Sequence, residues 1–253
     1  MVLFNLNSKV ALITGGNRGI GLVIAKGLAA HGAKVIINNR SLETAELAAK
    51  SLRDEGYDAL PVAFDVTDKE QIEKEINHIE NEVGPIDILI NNAGINVRHP
   101  LLEFPESVYD NIIDVNQKGT FLMIQVVGRY MAKRNRGKII NIASMQSELG
   151  RETITPYAAS KGAVKMLTRG ACVELAPYNI QVNAIAPGYF KSDLTKPLVD
   201  NKEFTNWLCN RVPAGRWGNV EELQGTAVYL ASKASDFVNG HIVFVDGGML
   251  SAV

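Results

Sequence analysis

Two cysteines in 253 residues, Cys172 and Cys209, are too few for a disulfide framework, and no metal-type spacing accompanies them. The expectation is two reduced, buried thiols and no metal centre. An excess of charge is missing as well: 26 basic against 27 acidic residues leave a net charge of −1, with no basic cluster. Nothing in that balance draws the chain to nucleic acid. No apolar run approaches the roughly 20 residues needed to span a bilayer. The stretch MVLFNLNSKVALIT has no basic region and no small-residue cleavage site, and it reads as the approach to a first strand. A soluble, cytoplasmic chain with no membrane partner is expected. Linkers, repeats and low-complexity tracts are lacking too, so residues 1–253 read as a single domain, a length α/β folds reach with one core. Hydrophobic residues make up 46% and charged ones 21%, which is enough apolar material for a sizeable core and argues against disorder.

What is present is an alternation of short apolar runs and helical patterns. Strands are expected at residues 10–14, 34–38, 59–64, 88–90, 138–142, 181–185 and 242–245. Between them, stretches such as 42–55 and 69–83 repeat apolar residues at three- and four-residue spacing. That pattern predicts a doubly wound α/β fold, a seven-stranded parallel sheet covered by helices on both faces. Residues 189–218 break the alternation and are rich in Lys, Pro, Asn and Trp. An insertion of this kind near the C-terminal ends of the strands is placed to cover a ligand as a lid.

The first strand runs directly into TGGNRGIG, residues 14–21, and then into a helical pattern. Gly15, Gly19 and Gly21 let the backbone approach a pyrophosphate, with Asn17, Arg18 and Ile20 between them and a helix N-terminus behind. The second strand ends in INNRS. A carboxylate there would bind a ribose 2′-hydroxyl, whereas a cation accommodates a 2′-phosphate. Asn39, Arg40 and Ser41 offer no carboxylate, and Arg18 adds a second guanidinium whose planar fork suits phosphate. The cofactor expected is NADP(H).

Residues 144–165 carry the chemistry. Ser144 is followed by Tyr157 and then by Lys161, and positions i and i+4 share one helix face. A phenol is a poor base at neutral pH, but a neighbouring ammonium favours the phenolate, and a serine hydroxyl can hold a substrate oxygen. This outlines an acid–base site for a carbonyl or alcohol. The pair alone is weak: Tyr229 and Lys233 repeat the spacing with Arg216 in the serine's place, and read as a solvated helix face. The serine and the glycine turn set the first pair apart.

Taken together these motifs resemble the short-chain dehydrogenase/reductases over essentially the whole chain. TGGNRGIG, NNAG at residues 91–94, Asn116 in DVNQKG, the Ser144–Tyr157–Lys161 set, Asp65 in FDVTD and APG at residues 186–188 all fall in that family's order. The resemblance implies a Rossmann-type fold and a catalytic set of Asn116, Ser144, Tyr157 and Lys161. In that set Lys161 lowers the Tyr157 pKa and holds the nicotinamide ribose, and Asn116 supports a water chain. It also implies Asp65 and Val66 near the adenine, Asn92, Ala93 and Gly94 beside the cofactor, and Pro187, Gly188 and Ser192 at the nicotinamide. A homotetramer is implied, with residues 110–134 and 156–176 in one interface.

Within the family, SMQSELGRETITPYAASKGAVKMLTRG and ASDFVNGHIVFVDGGML are similar to a bacterial branch acting on a sugar acid. Some of its members carry aspartate where this chain has Asn39. A sugar acid needs a cation for its carboxylate and polar partners for its hydroxyls. Arg98 is the first candidate for the carboxylate and Arg151 the second, with Gln146, Glu148 and Tyr189 as further substrate contacts beside Ser144 and Tyr157. Trp207 is a candidate cavity wall. Two competing readings are a reductase of oxoacyl groups on an acidic carrier protein, which would need a basic docking patch, and a nucleotide sensor without turnover, which would not need Tyr157 beside Lys161.

Overall fold

A computed structural model describes residues 3–192 and 195–253. Asp193 and Leu194, inside the expected lid, lie outside the described residues. The first half alternates β1 (Val10–Ile13), α1 (Gly19–Ala30), β2 (Lys34–Asn39), α2 (Leu42–Asp54), β3 (Ala59–Ala63), α3 (Lys69–His78) and β4 (Ile86–Asn91). The second continues with α4 (Glu106–Ile113), α5 (Gly119–Lys133), β5 (Gly137–Ile142), α6 (Thr155–Leu175) and β6 (Ile180–Pro187). Then come β7 (Phe190–Lys191), α7 (Lys196–Val199), α8 (Lys202–Arg211), β8 (Gly218–Asn219), α9 (Gln224–Ala231) and β9 (Ile242–Val245).

Every residue of β1 and of β4 is buried, as expected of strands covered on both faces. Alternate residues then serve different cores. Ala11 and Ile13 pack with Ile24 and Leu28 of α1, Ala49 of α2 and Ala227 of α9. Val10 and Leu12 face the other way, toward Ile72 and Ile76 of α3 and Met123 and Val127 of α5. The seven strands pair in parallel in the order β3-β2-β1-β4-β5-β6-β9. The chain winds outward from β1 to β3, crosses back, and winds the other way from β4. This reversal leaves a crevice beyond the C-terminal ends of β1 and β4, where ligands bind in such sheets. All seven expected strands and the helix pattern of 42–55 are present. The pattern of 69–83 forms α3 and then a wider π-type turn, Ile79–Val83.

Two local features shape the crevice. A second π-type turn, Asp114–Lys118, joins α4 to α5 in one helical run and carries Asn116. The short strands β7 and β8 pair with each other, Phe190 against Gly218, so the segment between them is pinned at both ends. Its own core consists of Leu208, Val212 and Trp217 packed on Met145 and Met249. Cys172 and Cys209 are free thiols, but half-buried rather than fully buried as the sequence suggested. No described helix is long and apolar enough to cross a membrane.

Candidate active site

The glycine turn and the end of β4 are joined by one threonine and one amide. Thr14 Oγ1 donates to the Ile90 carbonyl (3.3 Å) and accepts the N–H groups of Asn92 (3.0 Å) and Ala93 (3.1 Å). The Asn92 amide donates to the carbonyls of Thr14 (3.0 Å) and Gly15 (2.9 Å). Gly21 must lack a side chain because a Cβ there would meet Asn92 Nδ2 at 2.5 Å. Gly19 differs: its φ of 53° favours glycine, and a Cβ would meet nothing within 4 Å. Open space therefore faces the turn where α1 begins. The Arg18 side chain does not cap α1 and no acidic residue stands in its first turn, so its N-terminal N–H groups are free for an anion. Ile20 packs against the core behind. These features fit the pyrophosphate of a dinucleotide.

At the end of β2, Asn39 bridges two segments. Its Nδ2 donates to Asn17 Oδ1 (2.7 Å), and its Oδ1 accepts the Ser41 N–H (3.0 Å). Ser41 Oγ in turn accepts the Thr44 N–H (3.3 Å) and caps α2. Arg18 and Arg40 are both exposed, and neither has a carboxylate partner among the described residues. Asp65 is bound locally: its Oδ1 accepts from Thr67 N (2.9 Å) and Thr67 Oγ1 (2.8 Å). Val66 is buried in the core, where its Cγ2 lies 2.9 Å from the place a Gly119 side chain would take. Only the Val66 backbone is left to meet a cofactor.

Ser144, Tyr157, Lys161 and Asn116 converge beside this crevice. Ser144 caps the short turn Met145–Ser147, and Ser147 Oγ donates to the Lys161 carbonyl (3.0 Å), which fastens that turn to α6. Pro156 near the start of α6 suits a first helical turn, and Tyr157 and Lys161 follow one turn apart. Burial pushes the Tyr157 phenol above its ordinary pKa, and the nearby Ser144 hydroxyl only partly offsets this. Burial also lowers Lys161, to about 8. Its Nζ donates to the Ile142 carbonyl (2.6 Å) and lies 5.7 Å from the centre of the Tyr157 ring. The sequence led us to expect Lys161 to draw the Tyr157 pKa below its ordinary value. The shift runs upward instead, because desolvation dominates and the ammonium is hydrogen-bonded to a carbonyl.

Asn116 is buried, and its amide is fully committed. Oδ1 accepts the Ile95 N–H (2.8 Å), while Nδ2 donates to the Ile95 carbonyl (2.9 Å) and to Ser160 Oγ (3.0 Å). Ser160 Oγ donates to the Tyr157 carbonyl (2.7 Å). Gly94 lies against this group: a Cβ there would meet Asn116 Oδ1 at 3.3 Å and Lys161 Nζ at 3.7 Å. Both amide hydrogens of Asn116 are therefore used in tying Ile95 to Ser160. A water chain would have to begin at the Asn116 backbone carbonyl, which also accepts Thr120 Oγ1 (2.8 Å).

The substrate candidates divide. Burial and, after it, the like charge of Arg151 lower the Arg98 pKa, and Tyr189 lies near both. Arg151 Nη1 donates to Tyr189 Oη (2.8 Å), and its guanidinium stands 4.8 Å from the Phe204 ring centre. The two loops are tied where the His99 N–H donates to the Thr153 carbonyl (3.1 Å), with Thr153 at φ 66°. Gln146 sits on the serine: Ser144 Oγ donates to its Oε1 (2.6 Å). Glu148 does not join the group as expected, because its carboxylate pairs with Lys165 (2.6 Å) on α6. Trp207 is half exposed and stacks on Phe204 and Tyr189. Pro187 ends β6, the Gly188 N–H donates to Val245 O (2.9 Å), and the Ser192 N–H donates to Thr195 Oγ1 (2.9 Å). These three residues lead from the sheet into the segment over the crevice.

The second Tyr–Lys pair is not on one helix face. Helix α9 stops at Ala231, between Tyr229 and Lys233, and Tyr229 packs on the core. Sequence reasoning missed Ser147, Ser160 and Phe204. Ser160 directly precedes Lys161, but only its contact with Asn116 reveals its role. No group of three or more His, Cys, Asp or Glu among the described residues is placed to hold a metal.

Comparison with known proteins agrees with this geometry. Residues 9–203 match the model of a family described as short chain dehydrogenase. The chain is 61% identical over 251 residues to a 5-keto-D-gluconate 5-reductase of Escherichia coli (strain K12), covering 99% of each protein. It is 51% identical over 247 residues to a gluconate 5-dehydrogenase of Gluconobacter oxydans (strain 621H), covering 98% of this chain and 96% of that one. A crystal structure of a gluconate 5-dehydrogenase from Burkholderia cenocepacia J2315 in complex with NADP and tartrate superposes with a TM-score of 0.97. That match has 53% identity and covers 99% of this chain and 98% of that one.

Proposed function

Because this chain belongs to the short-chain dehydrogenase family, we propose that it is an NADP(H)-dependent oxidoreductase interconverting D-gluconate and 5-keto-D-gluconate. The observation that carries the substrate class is the juxtaposition of Arg98 and Arg151 beside Tyr189. Arg98 is exposed and Arg151, half-buried, donates to Tyr189; neither has a carboxylate partner among the described residues, so both cations are available to a substrate carboxylate. The named relatives, one of them in complex with NADP and tartrate, support a hydroxy-carboxylate substrate and NADP(H).

The uncapped start of α1, the open side of Gly19 and the exposed Arg18 and Arg40 would hold the cofactor, with Asn39 in the place of a carboxylate. When bound, the dihydronicotinamide supplies the hydride. Tyr157 gives its proton to the ketone oxygen in reduction and takes it back in oxidation. Ser144 donates a hydrogen bond to that oxygen and stabilises the charge that gathers there. The raised pKa of Tyr157 suits the proton-donating direction. Lys161, buried one helical turn from Tyr157, supplies the positive charge that favours the phenolate in the other direction. Asn116 holds Ile95 and Ser160, and so keeps the strand end and α6 in register.

The segment pinned by β7 and β8 acts as a lid, with Tyr189 and Phe204 around Arg151 as its inner wall. A homotetramer and a cytoplasmic location complete the proposal; exposed Tyr109, Phe121, Met166 and Val173 on α4, α5 and α6 supply apolar surface for assembly. The test is NADPH consumption against 5-keto-D-gluconate, other keto sugar acids and an acetoacetyl thioester. Turnover led by 5-keto-D-gluconate is expected, and turnover led by the thioester would refute the assignment.

A further inference from the structure

The one proton of the Ser144 hydroxyl is already committed to a neighbouring side chain. A hydroxyl offers one proton and two acceptor sites. The proton is donated to Gln146 Oε1 at 2.6 Å. The serine oxygen accepts the Gln146 N–H at 3.2 Å. The serine is also 4% exposed, so water does not compete for it freely. A ketone that is to react must accept that same proton. Gln146 Oε1 therefore occupies the acceptor position that the reacting oxygen has to take, and the amide must move aside when substrate enters.

A displaced amide is itself a demand on the substrate. It carries a donor and an acceptor, it is half-buried, and it stays within one side-chain swing of the serine. A hydroxyl on a carbon next to the reacting carbonyl can accept from its NH2 and donate to its oxygen. A ketone without that hydroxyl breaks the 2.6 Å bond and returns nothing. We propose that Gln146 is a specificity-determining residue that holds the Ser144 proton until a substrate with a hydroxyl beside its ketone displaces the amide and pairs with it. The proposal rests on the sugar-acid reading and says which part of the sugar acid is read by this side chain. No bond other than hydrogen bonds is made or broken in the exchange.

The test compares 5-keto-D-gluconate with 5-oxohexanoate, which keeps the carboxylate and the ketone at the same separation but has no hydroxyls. Both are measured in the wild-type protein and in Gln146→Ala and Gln146→Met, the second being close in size but unable to hold the serine proton. Removing the amide should lower kcat/KM for 5-keto-D-gluconate by about tenfold and leave that for 5-oxohexanoate unchanged or higher, because a site built around a substrate hydroxyl penalises its absence. A damaged fold would lower both together, and NADPH affinity and thermal stability identify that case in either variant. If both substrates fall by the same factor in Gln146→Met with NADPH affinity intact, the proposal is overturned while the sugar-acid reading stands. A wild-type protein that does not reduce 5-keto-D-gluconate overturns that reading and this proposal with it.

Discussion

Replacing Lys161 by methionine removes a buried ammonium whose pKa has fallen from an ordinary 10.5 to about 8. Between those values the folded chain binds fewer protons than the unfolded one, so the wild type gains stability as pH rises through the window. Below pH 8 the penalty is fully present: 2.5 pKa units correspond to about 3 kcal/mol at pH 7. At pH 9.5 the same relation leaves about 1 kcal/mol. Methionine escapes this cost, but it leaves the Ile142 carbonyl without its 2.6 Å donor. That loss costs about 1–3 kcal/mol and does not depend on pH. Lys161→Met should therefore be about as stable as the wild type at pH 7, or more stable. Its standing relative to the wild type should fall by about 2 kcal/mol by pH 9.5. Urea unfolding followed by far-ultraviolet circular dichroism, without cofactor, measures the difference at both pH values. A variant destabilised equally at both would show that Lys161 carries no depressed pKa and that its burial places no strain on the fold.

Tyr157→Phe should cut turnover at least about a hundredfold, the lower bound for a lost general acid–base, while NADPH affinity by fluorescence titration stays within about twofold. Preserved turnover would remove Tyr157 from the mechanism. Asn39→Asp with Arg40→Leu should lower the NADP/NAD ratio of kcat/KM by at least about tenfold, since a guanidinium–phosphate contact contributes about 1.5–3 kcal/mol. Arg98→Ala should raise KM for 5-keto-D-gluconate by about tenfold and that for an uncharged ketose much less; equal effects would place Arg98 away from the carboxylate. Asn116→Ala strands the Ile95 N–H and carbonyl, so unfolding should become easier by about 2–4 kcal/mol.

The sheet was legible because its signal is local. Apolar runs at strand length alternate with three- and four-residue periodicity, and a parallel sheet buried on both faces demands such runs. Boundaries are less legible: the strands expected at 88–90 and 181–185 run over Ile86–Asn91 and Ile180–Pro187, and the turns at residues 79–83 and 114–118 follow from packing rather than from any residue type. Tyr157 and Lys161 were legible for the same local reason, since four residues on one helix set their distance. Tyr229 and Lys233 show the limit of that reasoning, because the helix ends between them. Glu148 was misplaced because sequence order brought it near Ser144, while its charge found Lys165 on the facing helix.

Sequence alone determined the alternation of strands and helices, the glycine turn and the spacing of serine, tyrosine and lysine, because each depends on residues a few positions apart. Tertiary structure decided which polar atoms remain available. The sheet crossover brings the loop after β4 against the loop before α6, and only this sets Arg98 beside Arg151 and ties His99 to Thr153. It likewise commits the Asn116 amide to Ile95 and Ser160, and turns the Ser144 proton toward Gln146. A hydroxyl has one proton to give, and which neighbour receives it is settled by distances between segments that no local pattern encodes.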